Sequence, residues 1–143
     1  MAEGGSVGSR AAELGAPVEV RVAAELAQLP VLRAMAETIT LLNEFNLDEI
    51  SDVKLAVDQI CSDLIGSAVD GAELRCRFQL MGEVLCVGVS TNIRTGEVPD
   101  EQGFAWHVLR TLTDSITVTK VPLDTFDAGY TTTVELTKRR GGV

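Results

Sequence analysis

Hydrophobic and polar residues alternate with two different periods along this chain, and each change of period marks a predicted element. Residues 18–22 alternate valine with a charged residue, which predicts a half-buried strand. Apolar residues at helical spacing then predict two helices. The first covers residues 30–44, and the second runs from a cap at Asp48 or Ser51 to residue 70, with the strongest periodic signal in the chain.

The period returns to two in the second half of the chain. Alternation predicts a strand over residues 73–80, and a short apolar run predicts another over 84–90. Two more strands are predicted over residues 116–121 and 130–137. A polar loop at 91–102, of a length typical of lids and binding loops, leads into a third predicted helix at 103–112. The order β-α-α-β-β-loop-α-β-β predicts an α+β fold, a two-layer sandwich with about three helices on one face of a mixed or antiparallel sheet.

Length and charge narrow the class of protein. The 143 residues predict one domain over residues 17–137, between a flexible tail at 1–16 and a frayed C-terminus at 138–143. Twelve Lys and Arg residues against 21 Asp and Glu give a net charge of −9, which argues against direct nucleic-acid binding through a basic surface. No apolar stretch approaches the roughly 20 residues of a membrane span, and no signal peptide is visible, so a cytoplasmic protein is expected.

The common motifs of catalysis and metal binding are missing from the sequence. Cys61, Cys76 and Cys86 are odd in number and lack C-x-x-C spacing, so they are expected to be reduced and buried. No phosphate-binding P-loop, nucleophile elbow or dinucleotide-binding glycine motif is present. On the second helix, Gln59 and Asp63 lie four residues apart on one face, where Asp63 can hold magnesium or simply face solvent.

Two segments resemble a known family. Residues 55–68, LAVDQICSDLIGSA, resemble the N-box helix of the bacterial anti-sigma factor serine kinases, in which the pattern is close to L-A-V-x-E-A-C-x-N-A-I-x-H-A. Residues 103–118, GFAWHVLRTLTDSITV, resemble the glycine-opened helix and following strand of that family, especially in actinobacterial regulators of the stress and sporulation type. The resemblance covers residues 18–137 and implies the histidine-kinase-like (GHKL) ATPase fold.

The resemblance implies an anti-sigma factor. Such a protein binds and sequesters an alternative sigma factor of RNA polymerase, inhibits transcription, and is relieved by an anti-anti-sigma antagonist. Arg33 falls where related anti-sigma factors carry an exposed arginine that contacts the partner. The family also implies a homodimer, for which exposed strand edges such as residues 18–22 offer a route.

The same resemblance implies ATP and magnesium, but this sequence departs from the nucleotide motifs. Gln59 stands at the position of the N-box glutamate that acts as catalytic base, and its amide forfeits general-base help of about 10²–10⁴-fold. The neighbouring magnesium and adenine positions, normally Asn and Asp, are occupied by Asp63 and Thr91. Gly103 opens a shortened glycine box, and Thr131 lies one residue away from the family's last Gly-Thr element.

Two alternatives to a purely sequestering protein stay open at this point. One is an active serine-protein kinase that phosphorylates the anti-anti-sigma factor with Mg-ATP. In that case Asp58 replaces the base, although an ideal helix turns it about 100° away from Gln59. The other is a catalytically inactive ATP sensor, in which the nucleotide only tunes affinity for the partner.

Overall fold

A computed structural model describes residues 16–123 and 129–141 of the chain. Its helices are α1 (Leu29–Leu42), α2 (Leu47–Gly66) and α3 (Phe104–Leu112), with a short 3₁₀ turn at Leu26–Gln28 before α1. Its strands are β1 (Val18–Ala23), β2 (Glu73–Met81), β3 (Val84–Ile93), β4 (Ser115–Pro122) and β5 (Tyr130–Arg139). The predicted order of helices and strands is confirmed, and the 3₁₀ turn is an addition to it.

The five strands form one antiparallel sheet in the order β1-β2-β3-β5-β4. The last strand therefore lies between β3 and β4, and its pairing with β3 runs from Val84 opposite Arg139 to Ile93 opposite Tyr130. Strands β1 and β4 are the two edges. The α+β fold class is confirmed, with every described strand pair antiparallel.

The core lies between the sheet and the helices. Strand register sets buried residues side by side, as in Phe78 with Val87 and Val87 with Leu136. Fully burying one large apolar side chain stabilises a fold by about 1.5–3 kcal/mol. The helix that buries the most apolar side chains therefore contributes most to packing the helical layer against the sheet. That helix is α2, whose buried residues are Ile50, Val53, Ala56, Val57, Ile60, Cys61, Leu64 and Ile65.

Helix α2 begins earlier than predicted, and its cap is neither Asp48 nor Ser51. Asn46 is the N-cap: its side chain accepts a hydrogen bond from the Glu49 backbone N–H at 2.8 Å. The Glu49 carboxylate in turn accepts from the Asn46 backbone N–H at 2.8 Å, which completes a capping box. The cap therefore lies in the polar connection before the helix, whereas the predicted caps, Asp48 and Ser51, lie within α2.

Strand β5 runs to Arg139, into the segment 138–143 that the sequence predicts as a frayed C-terminus. Lys138 pairs with Asp52 of α2 at 2.9 Å and donates to the backbone oxygen of Leu112. Arg140 donates to both carboxylate oxygens of Glu83. These ion pairs hold the end of β5 against the rest of the fold. Residues 142–143 and the predicted tail, apart from Ala16, lie outside the described residues.

Strand β3 also continues beyond its predicted end. Thr91, Asn92 and Ile93, which the polar pattern assigned to the loop, pair with β5. The pairing partner is remote in sequence, so local pattern could not reveal it.

Among the described residues, no helix combines the length and apolar character that crossing a bilayer requires.

Candidate functional site

A cavity of about 360 Å³ opens between the end of α2 and the segment that leads into α3. We call it the α2–α3 cavity. The α2 side is built by the C-terminal turn of the N-box-like helix, and the other side by the loop and the first residues of α3. Its lining residues are Asp63, Ser67, Val98, Pro99, Asp100, Gly103, Phe104, Ala105 and Trp106.

Gln59 and Asp63, singled out from the sequence, meet in the structure. The Gln59 amide donates a hydrogen bond to Asp63 Oδ1 at 2.9 Å, as the spacing of four on a helix allows. Burial raises the pKa of the half-buried Asp63 carboxyl, and the hydrogen bond from Gln59 opposes that rise. Asp63 lines the cavity. Its Oδ1 is engaged by the Gln59 amide, which cannot take up a proton and so cannot act as a general base.

Asp100 is a second carboxylate in the cavity, and sequence reasoning did not identify it. Its Oδ1 accepts a hydrogen bond from the Gln102 backbone N–H at 3.0 Å. Its Oδ2 lies 3.0 Å from where a Cβ on Gly103 would stand. Because Gly103 is the N-cap of α3, the carboxylate lies beside the positive end of that helix. An Asp three residues before the Gly at the helix start is the sequence signal that could have pointed to it.

The threonine positions are distributed over both faces of the sheet. Thr91 is buried on the helix side, and its hydroxyl donates to the Glu73 backbone oxygen at 2.8 Å. Thr131 faces the other side, where its hydroxyl donates to Asn92 Oδ1 at 2.8 Å. Thr132, opposite Thr91 in the register, is the threonine of β5 that points into the core. The alternation of Thr132 with Val134 and Leu136 carried this information in the sequence.

Replacing Thr132 with valine should stabilise the protein by about 1 kcal/mol. The Thr132 hydroxyl is fully buried and has no hydrogen-bond partner among the described residues, and such an orphaned group costs about 1–3 kcal/mol. Urea unfolding followed by circular dichroism measures the change. Thr40→Val is the matched control, because the equally buried Thr40 hydroxyl donates to the Ala36 backbone oxygen at 2.8 Å and its loss should destabilise. A destabilised Thr132→Val variant would contradict the prediction.

The charges that line the α2–α3 cavity do not fit the phosphates of ATP. Its lining contains two carboxylates, Asp63 and Asp100, and neither lysine nor arginine. A triphosphate brought to the N-terminus of α3 would meet the negative charge of the Asp100 carboxylate, whose Oδ2 lies 3.0 Å from where a Cβ on Gly103 would stand. The hydroxyl of Thr91, at the expected adenine position, is bound to the backbone of β2. We therefore derive no phosphoryl-transfer step through these residues.

Arg33 and Asp58 form an ion pair between α1 and α2, away from the α2–α3 cavity. Arg33 Nε donates to Asp58 Oδ1 at 2.6 Å, and the two side chains are 47% and 36% exposed. Asp58 is therefore occupied by a guanidinium on the other side of α2 and does not line the cavity. This placement corrects the alternative in which Asp58 replaces the catalytic base at Gln59. Arg33 is exposed, as a partner-binding arginine requires.

The cysteines and His107, the single histidine of the chain, do not assemble a site among the described residues. Cys61 and Cys76 are buried in contact, and their shared hydrogen bond together with burial raises the pKa of the Cys61 thiol. Cys86 is only half-buried, which departs from the expectation that all three are buried. His107 is exposed on α3. Within the described ranges, no three histidine, cysteine, aspartate or glutamate side chains group as metal ligands would.

Comparison with known proteins points to one group. The chain is 35% identical to the anti-sigma-F factor RsbW of Mycobacterium tuberculosis, in strains CDC 1551 / Oshkosh and H37Rv, over 99 residues that make up 69% of this chain and 59% of those proteins. It thus spans little more than half the length of these curated relatives. Models of known protein families give no match. A crystal structure of RsbU and RsbW domains from the same species has a similar fold, with a TM-score of 0.63 and 16% identity, over 87% of this chain and 32% of that one.

Proposed function

Because the chain belongs to the bacterial anti-sigma factors of the histidine-kinase-like ATPase fold, we propose that it binds and sequesters an alternative sigma factor. Holding the sigma factor away from RNA polymerase inhibits transcription in the cytoplasm, and an anti-anti-sigma factor relieves the inhibition. The observation that carries this proposal is the 35% identity to an anti-sigma-F factor, combined with an exposed Arg33 on α1. The match to actinobacterial patterns favours a regulator of stress or sporulation genes.

Sequestration is the activity that the residues of this chain support best. It requires only a folded surface, and α1, the helix that carries Arg33, packs on the core through buried residues such as Leu32 and Ala36. Phosphorylation requires a base and bound nucleotide, whereas Gln59 is an amide and Asp100 lies at the start of α3. We therefore propose that the protein acts without transferring phosphate. The exposed edge of β1 supports a further proposal, that two copies pair as a homodimer.

Binding to purified sigma factors tests the proposal. Each alternative sigma factor encoded in the same genome is titrated into the protein by calorimetry, and transcription from its promoter is measured with and without the protein. We expect one of them to bind saturably and its transcription to fall in step with occupancy. If none binds to protein that circular dichroism shows to be folded, the proposed function is wrong.

Titration with Mg-ATP separates sequestration from the kinase and sensor alternatives. Trp106, the single tryptophan, is 5% exposed and lines the α2–α3 cavity, so its fluorescence reports on any ligand that enters. We expect no saturable change up to millimolar nucleotide, because both charged groups of the cavity are acidic.

The matched control restores the family residues while leaving Asp100 in place. The double variant Gln59→Glu, Asp63→Asn should also give no saturable signal, since the carboxylate at α3 still opposes the phosphates. A saturable Trp106 response in the unaltered protein would favour the sensor. Transfer of labelled phosphate to an anti-anti-sigma factor would favour the kinase.

A further inference from the structure

A groove of about 420 Å³ runs between α1 and α2, and leucines line it in contact with solvent. We call it the α1–α2 groove. Leu47, Ser51 and Leu55 follow one another at intervals of four along α2, so they share one face of the helix. Leu47 is 81% exposed and Leu55 is 55% exposed. Single exposed leucines are common, but here two lie on one wall of a groove, about 12 Å apart along the helix with Ser51 between them. We call this pair of leucines the leucine rail.

Two ion pairs cross the groove from α1 to α2. One is Arg33 with Asp58 at 2.6 Å, and the other is Glu37 with Lys54 at 3.4 Å. The carboxylate-bearing side chains of both pairs stay accessible, since Asp58 is 36% exposed and Glu37 is 48% exposed. Both pairs thus link α1 to α2 and leave acceptor oxygens accessible to an incoming cation.

The charge around the groove favours a basic occupant. The charges of the pairs within the groove cancel, but exposed Asp48 follows Leu47 directly, and exposed Glu44 lies three residues before it, in the connection between α1 and α2. The chain as a whole carries a net charge of −9, which attracts a cationic partner over distance. A groove between two packed helices, with leucines at helical spacing, matches an amphipathic helix and not an extended strand.

We propose that the α1–α2 groove receives a basic amphipathic helix of the sigma factor, with Leu47 and Leu55 as its apolar anchors. The apolar stripe of that helix packs on the leucine rail, and its flanking lysines or arginines reach Glu37 and Asp58. This inference rests on the proposed function. It adds an apolar docking site on α2 to the single arginine on α1 that the family resemblance implied.

Leu47→Gln and Leu55→Gln test the rail. Both positions are exposed and glutamine is a good helix former, so the fold should be unaffected. Calorimetry against the sigma factor that binds the unaltered protein should show an affinity about tenfold lower for each variant, because buried apolar contact is lost. Val121→Gln is the matched control: Val121 is also 55% exposed but lies on the edge strand β4. It should change affinity less than about twofold.

Each outcome of this experiment decides. If both leucine variants bind as tightly as the unaltered protein, the groove is not the docking site, while the proposed function stands. If Val121→Gln weakens binding as much as they do, the effect is not specific to the groove and the inference is wrong. If no sigma factor binds the unaltered protein, the proposed function and this inference fail together.

A photo-crosslinker at position 55 identifies the occupant directly. We expect the attached sigma-factor peptide to come from a helical segment with more lysine and arginine than aspartate and glutamate. A crosslink to an acidic segment, or to a second copy of this chain, would overturn the assignment.

Discussion

Gly129→Ala should destabilise the protein by about 3–5 kcal/mol, the largest stability effect we expect from a single methyl group. Gly129 adopts φ of +102°, a conformation that residues with a side chain rarely adopt. A Cβ placed on it would stand 2.1 Å from the backbone oxygen of Ile93. Relief requires the start of β5 to move away from the end of β3, because Tyr130 pairs with Ile93 in the register. Urea unfolding followed by circular dichroism measures the loss.

Gly66→Ala is the control for this variant, since it makes the same chemical change where nothing opposes it. Gly66 is the last residue of α2, and no atom lies within 4 Å of the position its Cβ would take. Alanine there should raise stability by about 0.5–1 kcal/mol through its helix propensity. Equal unfolding midpoints for Gly129→Ala and the unaltered protein would show that residue 129 does not approach β3 as described.

Arg33→Glu should weaken sigma-factor binding by at least about 100-fold, the largest effect on binding that we expect. Arginines that contact a partner are commonly the residues that contribute most to an interface, and a reversed charge adds repulsion to the lost contact. Glutamate at this position also faces Asp58, whose carboxylate now accepts from Arg33 at 2.6 Å. Titration calorimetry measures the affinity, and thermal unfolding measures how much stability the like-charge pair removes.

Swapping the pair separates a binding role from a structural one. The double variant Arg33→Glu, Asp58→Arg restores an ion pair between α1 and α2, so its stability should return to that of the unaltered protein. Its sigma-factor affinity should stay low, because the guanidinium now projects from α2. Recovery of affinity in the swapped protein would show that Arg33 matters only by holding the two helices together.

Local pattern predicted much of the architecture. The alternation in residues 73–80 predicted β2, and helical spacing predicted α2, because burial on one side of an element repeats with its own geometry. The short apolar run at 84–90 predicted β3. Local patterns failed to predict structure where a segment pairs with a strand that is remote in the sequence. Residues 91–93 look polar, yet they extend β3 because β5 pairs with them, and the ends of α2 depend on the capping box at Asn46.

The candidate site was predictable as a place but not as a chemical environment. The resemblance of residues 55–68 located Gln59 and Asp63 on one helix, and the structure brings them to 2.9 Å because four residues make about one helical turn. The resemblance does not tell which groups lie across the cavity from this helix. Asp100 approaches the start of α3 through the path of its loop, and Thr132 takes the buried position beside Thr91 because of strand register.

The sequence by itself determined the element order, the buried faces and the presence at position 59 of an amide that takes up no proton, since each depends on residue type and near neighbours alone. Only the tertiary structure decided the placement of β5 between β3 and β4, and the pairing of Arg33 with Asp58, 25 residues away. It also decided that Lys138 would reach Asp52, 86 residues away. Such contacts depend on how packed layers cross, and that follows from burying the whole core at once.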